Sequence, residues 1–232
     1  MAVLEDEVKN AVLHNKKLLV HNLGDCLVVY EKVINWKTIA DCLVFSKRGI
    51  IGIEIKTSHD TLRRLPSQLE DYIRSCRYTY VFCADEQLKG VMKLLDGKHY
   101  NFVGVISYSA FNDTEVVAGL VRRAKDSPYV NTTGTYSLLW STELRKLYQT
   151  TYHEVANGKR YEIEKALPYN NEQAQQIVAQ MYVNNQIDNN KPLQRYYFGD
   201  NYIHDVTGQH LTKHEQKLAH KLTRRNRSHA KT

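Results

Sequence analysis

The stretch "GIIGIEIKTSHD", residues 49–60, opens as apolar strand material and then sets a glutamate and a lysine two positions apart. Side chains alternate faces along a strand, so Gly52, Glu54 and Lys56 share one face while Ile51, Ile53 and Ile55 share the other. The isoleucine face explains itself as core. The charged face does not, because ionised groups buried without partners are costly. Glu54 and Lys56 therefore need a counter-ion, an open edge, or each other.

The preceding segment supplies one partner. "IADCLVFSKR" (39–48) reads as a strand, and the turn at Lys47-Arg48-Gly49 leads directly into residues 50–57, so the two strands form an antiparallel hairpin. Folding that hairpin brings Asp41 alongside Glu54. Two convergent carboxylates suit a hard divalent cation, Mg²⁺ or Mn²⁺. Lys56 is then placed to hold an attacking water or to offset charge on a phosphate. In the next helix, "PSQLEDYIRSCRY" (66–78), Gln68 and Tyr72 stand at i and i+4 on one face. Arg63 and Arg64 in the connecting loop suit backbone phosphates. The plainer reading of the same spacing is a surface hairpin carrying an ion pair, followed by an ordinary amphipathic helix.

Around this centre, residues 3–19 have helical periodicity, and "CLVVYEKV" (26–33), "YTYVFCA" (78–84) and "YNFVGVISYS" (100–109) read as strands, the last two separated by a helix near 86–95. This order predicts an α/β fold, a mixed sheet flanked by helices. Further on, "EVVAGLVRRA" (115–124), "SLLWSTELRKLYQTTYHEV" (137–155) and "NEQAQQIVAQMYV" (171–183) read as helices. Trp140, at helical spacing with Leu139, Leu144 and Leu147, reads as core. The expected division is a core over 1–112, a helical extension packed on it over 113–183, and a final part over 184–232. That last part has a linker at 184–192, a hairpin about Gly199-Asp200-Asn201 and a basic helix opened by the capping box "TKHE" (212–215).

Composition narrows the function. The chain of 232 residues carries a formal charge of +7, and residues 211–232 hold seven Lys/Arg against one Glu, which leaves about +1 for the rest. A near-neutral body with a basic end suggests a polyanion partner, DNA first and RNA not excluded, with Lys221, Arg224, Arg225 and Arg227 as contacts. A solvated charged tail is the bland alternative. No basic–apolar leader opens the chain and no apolar run approaches the ~20 residues that cross a bilayer, so a cytoplasmic protein with no membrane partner is expected. Cys26, Cys42, Cys76 and Cys83 form no CxxC pair and read as reduced structural thiols. His204, His210 and His214 lack the company of a zinc pattern. "YYF" (196–198) with Tyr202 fits either a small local core or base stacking. The absence of a P-loop indicates no nucleotide.

Asp41, Glu54-Ile55-Lys56 and Gln68-Leu69-Glu70-Asp71-Tyr72 together resemble the D…ExK…QxxxY signature of the PD-(D/E)XK nuclease superfamily, in its RecB-like and lambda-exonuclease-like branch. The longer stretch "IADCLVFSKRGIIGIEIKTSHDTLRRLPSQLEDY" is similar to small bacterial and phage members related to MmcB-type DNA-repair proteins. "SLLWSTELRKLY" (137–148) resembles a later segment of that group, and the resemblance spans roughly residues 38–150. It implies a restriction-endonuclease-like core and a metal-dependent deoxyribonuclease serving phage or bacterial DNA processing. Asp41 and Glu54 would be metal ligands, Lys56 the catalytic lysine, and Gln68 and Tyr72 its supports. A further acid from the opening helix is implied, with Glu7, Glu5 and Glu31 as candidates, and a histidine in some branches, here His14. Some relatives hold an iron–sulfur cluster on late cysteines; this chain has none after Cys83, so no cluster is expected. The rival expectation is a catalytically silent descendant that binds nucleic acid or a protein.

Overall fold

The computed structural model describes residues 26–112, 115–184, 195–198 and 203–205, and before them positions 8–9, 11–12, 15, 18–19 and 23–24. Residues 1–7, the linker segment 185–194 and the basic end from 206 onward, including the expected helix at 212, lie outside the described residues.

Among the described residues eight strands form one mixed sheet in the order β6-β5-β4-β3-β2-β1-β7-β8. β1 (Cys26–Ile34), β2 (Thr38–Ser46) and β3 (Gly49–Lys56) make an antiparallel meander, with Ser46 facing Gly49 across the two-residue turn Lys47-Arg48. From β3 the chain passes through a 3-10 turn (Leu62–Arg64) and helix α1 (Leu65–Ser75) to β4 (Tyr78–Ala84). It then runs through α2 (Asp85–Gly97) to β5 (Gly104–Asn112), and both helical crossovers give parallel pairs. Pro66 sits in the first turn of α1, where its missing N–H is not needed. Of the hairpin expected about 199–201, the turn lies outside the described residues, while its flanks β7 (Arg195–Phe198) and β8 (Ile203–Asp205) pair antiparallel and β7 adds antiparallel to β1.

The stretch 115–124 is a strand, not a helix. β6 (Glu115–Arg122) pairs antiparallel with β5 at the sheet edge. Val116, Ala118 and Leu120 are partly buried against the core while Val117 and Val121 are exposed by 58% and 44%, the alternation of a strand with one covered face. Beyond it come α3 (Thr132–Tyr136), α4 (Ser141–Tyr152), α5 (Arg160–Ala166) and α6 (Asn171–Val183). The helix expected over 137–155 thus starts only at Ser141. Trp140 caps it and is 43% exposed, outside the core in which Leu139, Leu144 and Leu147 are buried.

Apolar packing fills both faces of the sheet. Ile51, Ile53 and Ile55 join Val28, Tyr30, Tyr80 and Phe82 beneath the helical residues Val8, Ala11 and Val12. On the opposite face, Leu27, Leu43 and Phe45 meet Leu144, Ala174 and Val178, and Phe45 stacks on Tyr182 with ring centroids 3.7 Å apart. Leu65, Leu69 and Ile73 of α1 pack with Val81, Val91 and Val105. The four cysteines are buried, and burial pushes the Cys83 thiol up to about 12. Among the described residues no helix is long and apolar enough to cross a membrane.

Candidate functional site

The backbone ladder between β2 and β3 runs from Ser46–Gly49 to Cys42–Ile53. Just beyond it, at Asp41 and Glu54, side chains take over from backbone. The Tyr72 phenol, carried by α1, accepts the Asp41 N–H at 2.9 Å and donates to the Ile53 carbonyl at 3.2 Å. Asp41 Oδ2 accepts the Ile55 N–H at 2.7 Å. A phenol and a carboxylate thereby satisfy backbone groups that buried strands must not leave unmet. Gly52 admits the tyrosine ring: a Cβ there would lie 2.4 Å from Tyr72 Cδ1. Burial pushes the Tyr72 phenol well up, reinforced by the Glu54 and Asp41 carboxylates, so it stays a protonated donor.

Glu54 and Lys56 answer each other. Lys56 Nζ lies 2.6 Å from Glu54 Oε1, with the two side chains only 6% and 1% exposed. Lys56 also donates to Gln68 Oε1 at 3.2 Å. Glu54 Oε2 is buried with no hydrogen-bond partner. Asp41, Glu54, Lys56, Gln68 and Tyr72 are therefore brought together, and the lysine is spent on its own glutamate inside a nearly dry network.

The other candidates separate. Arg63 and Arg64 are exposed on the 3-10 turn just before α1. Glu31 is exposed, has a left-handed φ of 54° and pairs with Lys9 at 2.9 Å. Glu5, Glu7, His14, Lys221, Arg224, Arg225 and Arg227 lie outside the described residues. A divalent cation takes about six oxygen ligands. Among the described residues no group of three or more His, Cys, Asp or Glu is placed to hold a metal. One oxygen of Asp41 and one of Glu54 are already engaged.

Two supporting residues escape a reading of the sequence. Asp71, buried on α1, accepts from Asn35 Nδ2 at 2.6 Å and from the Thr38 hydroxyl, fastening the β1–β2 turn to the helix. Gln175, from α6, bonds the starts of β3 and β4. Both lie far in sequence from what they hold. Tyr72→Phe is expected to cost about 1–2 kcal/mol by leaving the Asp41 N–H unmet. Urea denaturation measures it, and a loss below about 0.3 kcal/mol would show that the phenol bridges nothing of consequence.

The fold and this network define an α/β protein with a mixed sheet and an internally paired acid–lysine cluster. The chain belongs to the family described as Bacteriophage P4 protein cII, whose model matches residues 1–197. It is similar to protein cII of Enterobacteria phage P4, with 27% identity over 147 residues, covering 62% of this chain and 52% of the relative. The chain thus spans about half the length of the curated relative it matches. No solved structure matches it. This membership supports the phage connection and corrects the activity expected from the D…ExK…QxxxY pattern. Neither designation is that of a nuclease or any other hydrolase, so the reading as a metal-dependent deoxyribonuclease, with its hydrolase and metal-binding attributes, is withdrawn. The physical reason for the error lies in the cluster: spacing alone does not distinguish a metal site from a buried ion pair.

Proposed function

We propose that this cII-family chain is a non-catalytic nucleic-acid-binding protein of the cytoplasm, with DNA as its first partner. Its α/β body is read as a restriction-endonuclease-like scaffold of PD-(D/E)XK ancestry. Support for the scaffold comes from the β2–β3 hairpin followed by the helix-linked parallel strands β3, β4 and β5, with Asp41, Glu54, Lys56, Gln68 and Tyr72 at the hairpin's open end. In this reading the cluster stiffens the fold and performs no hydrolysis.

The observation that carries the proposal is the segregation of charge: +6 of the total +7 lies in residues 211–232. Such a segment neutralises phosphates and releases their counter-ions, giving affinity that falls steeply with salt. Arg63 and Arg64, exposed on the folded body, add two cations.

Fluorescence anisotropy with labelled duplex DNA, single-stranded DNA and RNA across a salt series tests it. The full chain is expected to bind, with log K falling linearly in log salt and the nucleic acid recovered intact. Removing 211–232 is expected to weaken binding at least about tenfold and to flatten the slope by roughly 0.9 for each phosphate no longer neutralised. The double substitution Arg63→Ala, Arg64→Ala lowers affinity less. Equal affinity and slope with and without the segment would overturn the proposal.

A further inference from the structure

The chain has two tryptophans, Trp36 and Trp140, and both are held partly open to solvent. Trp36 occupies the tip of the β1–β2 hairpin, where the Lys37 N–H closes a turn on the Ile34 carbonyl at 3.3 Å. The two central residues, Asn35 and Trp36, have φ of 48° and 66°. This is the backbone of a type I′ turn, whose second position is normally glycine. Asparagine tolerates the left-handed region, but a bulky residue there is strained. The core gives Trp36 little in return, for it is 54% exposed.

Trp140, 43% exposed, lies on the neighbouring segment. Two contacts tie the pair to one surface. The Arg160 guanidinium carbon is 4.4 Å from the Trp36 ring centroid, and Arg160 Nη1 donates to the carbonyl of Leu139, the residue before Trp140, at 3.1 Å. The Asn35 N–H donates to Ser137 Oγ at 2.9 Å. Lys32 Nζ sits 5.0 Å from the Trp140 ring centroid. Each indole therefore carries a cation near one face and keeps about half its surface open. Lys37, with a side chain 65% exposed, flanks the tip, and Lys159 and Lys165 are exposed at the ends of α5.

We propose that Trp36 and Trp140 form a stacking platform for unpaired nucleic-acid bases, an inference that rests on the nucleic-acid reading above. Bases stack on aromatic rings whatever their identity, at roughly five- to 150-fold in affinity for each base. Lys37 and Lys159, exposed next in sequence to Trp36 and to Arg160, suit the phosphates between successive bases. A duplex gains nothing from the platform, because its bases already stack on one another. The strained turn at Trp36 is then stability given up to display the ring. Val33 and Ile39 are also exposed at the hairpin, by 43% and 58%, so a protein partner is the competing occupant. Arg160 also pairs with Glu164 at 2.7 Å and Lys37 with Asp71 at 3.5 Å; the guanidinium over Trp36 and the exposed Lys159 beside it favour bases over an apolar protein surface.

Since the chain has no other tryptophan, indole emission excited selectively over its sixteen tyrosines reports directly on the platform. Titration of the full chain with an oligothymidylate of about 12 nucleotides is expected to quench that fluorescence, while a duplex of the same length quenches far less. Trp36→Gly is expected to lower single-strand affinity about tenfold without lowering the thermal midpoint, because glycine suits the turn. Trp140→Leu weakens binding in the same sense. Single-strand binding seen by anisotropy with no quenching, and with Trp36→Gly unaffected, would overturn the platform while leaving the nucleic-acid reading intact. Equal quenching by the duplex would also overturn it. No binding of any nucleic acid would remove both.

Discussion

Replacing Lys56 by alanine is expected to destabilise the fold by roughly 3–5 kcal/mol, and replacing Glu54 together with it to return most of that loss. Lys56 Nζ and Glu54 Oε1 are 2.6 Å apart in side chains only 6% and 1% exposed. Removing the ammonium leaves a carboxylate in the interior with no counter-ion. Glu54 Oε2 already lacks a hydrogen-bond partner, so Lys56 is the main compensation for the whole group. Desolvation of an uncompensated charge is the larger effect here, well above the ordinary loss of a lysine stem's packing. When both charges go, as in Glu54→Leu with Lys56→Met, no buried ion remains and the volume is nearly kept, a change that is often close to neutral. Urea denaturation of the wild type, Lys56→Met, Glu54→Leu and the double variant gives the coupling directly, with Lys56→Ala measured beside them. A Lys56→Ala loss under about 1 kcal/mol would show that the pair sits in a wetter and less demanding place than its burial indicates.

The pairing of these two residues is also where the sequence was most and least legible. The alternation in "GIIGIEIK" places Glu54 and Lys56 on one face, and the short turn at Lys47-Arg48 brings Asp41 near them. Gln68 and Tyr72 follow from helical spacing. All of these relations are local, within about thirty residues. What the residues do together was not local. An acid, a glutamate and a lysine at these spacings are written the same way for a metal site and for a closed ion pair. The difference is burial and the partners of each oxygen, and Asp41 Oδ2 is given to a backbone N–H. The cII designation is not that of a hydrolase, and the nuclease reading is withdrawn on that ground. Residues 115–122 misled for a related reason. Valines, an alanine and a leucine around Gly119 fit either period, and the choice of strand is made by β5, to which β6 pairs. Trp140 has core spacing but sits one residue before α4, where the helical period does not apply.

The second large effect comes from a residue that no local pattern singles out. Gln175→Leu is expected to cost about 3–5 kcal/mol, although leucine nearly matches the side chain in size and the site is fully buried. Gln175 Oε1 accepts the Ile50 N–H at 3.2 Å and the Arg77 N–H at 3.0 Å. Its Nε2 donates to the Ser75 carbonyl at 2.8 Å and to Thr135 Oγ1 at 2.6 Å. One amide thus serves the start of β3, the residue before β4, the end of α1 and the helix α3. Leucine removes all four bonds. Thr135 keeps its bond to the Asn131 carbonyl, but the buried Ile50 amide and Ser75 carbonyl and the half-buried Arg77 amide lose this partner. Each such orphan costs about 1–3 kcal/mol, and partial relaxation brings the sum into the stated range. The loss should also be regional. Hydrogen exchange is expected to quicken first in α6 and α3, which Gln175 joins to the sheet, and least in the centre of β3 and β4. Uniform quickening across all of these would mean that Gln175 contributes only to global stability and that α6 is held by its apolar face, through Ala174 and Val178, rather than by this amide.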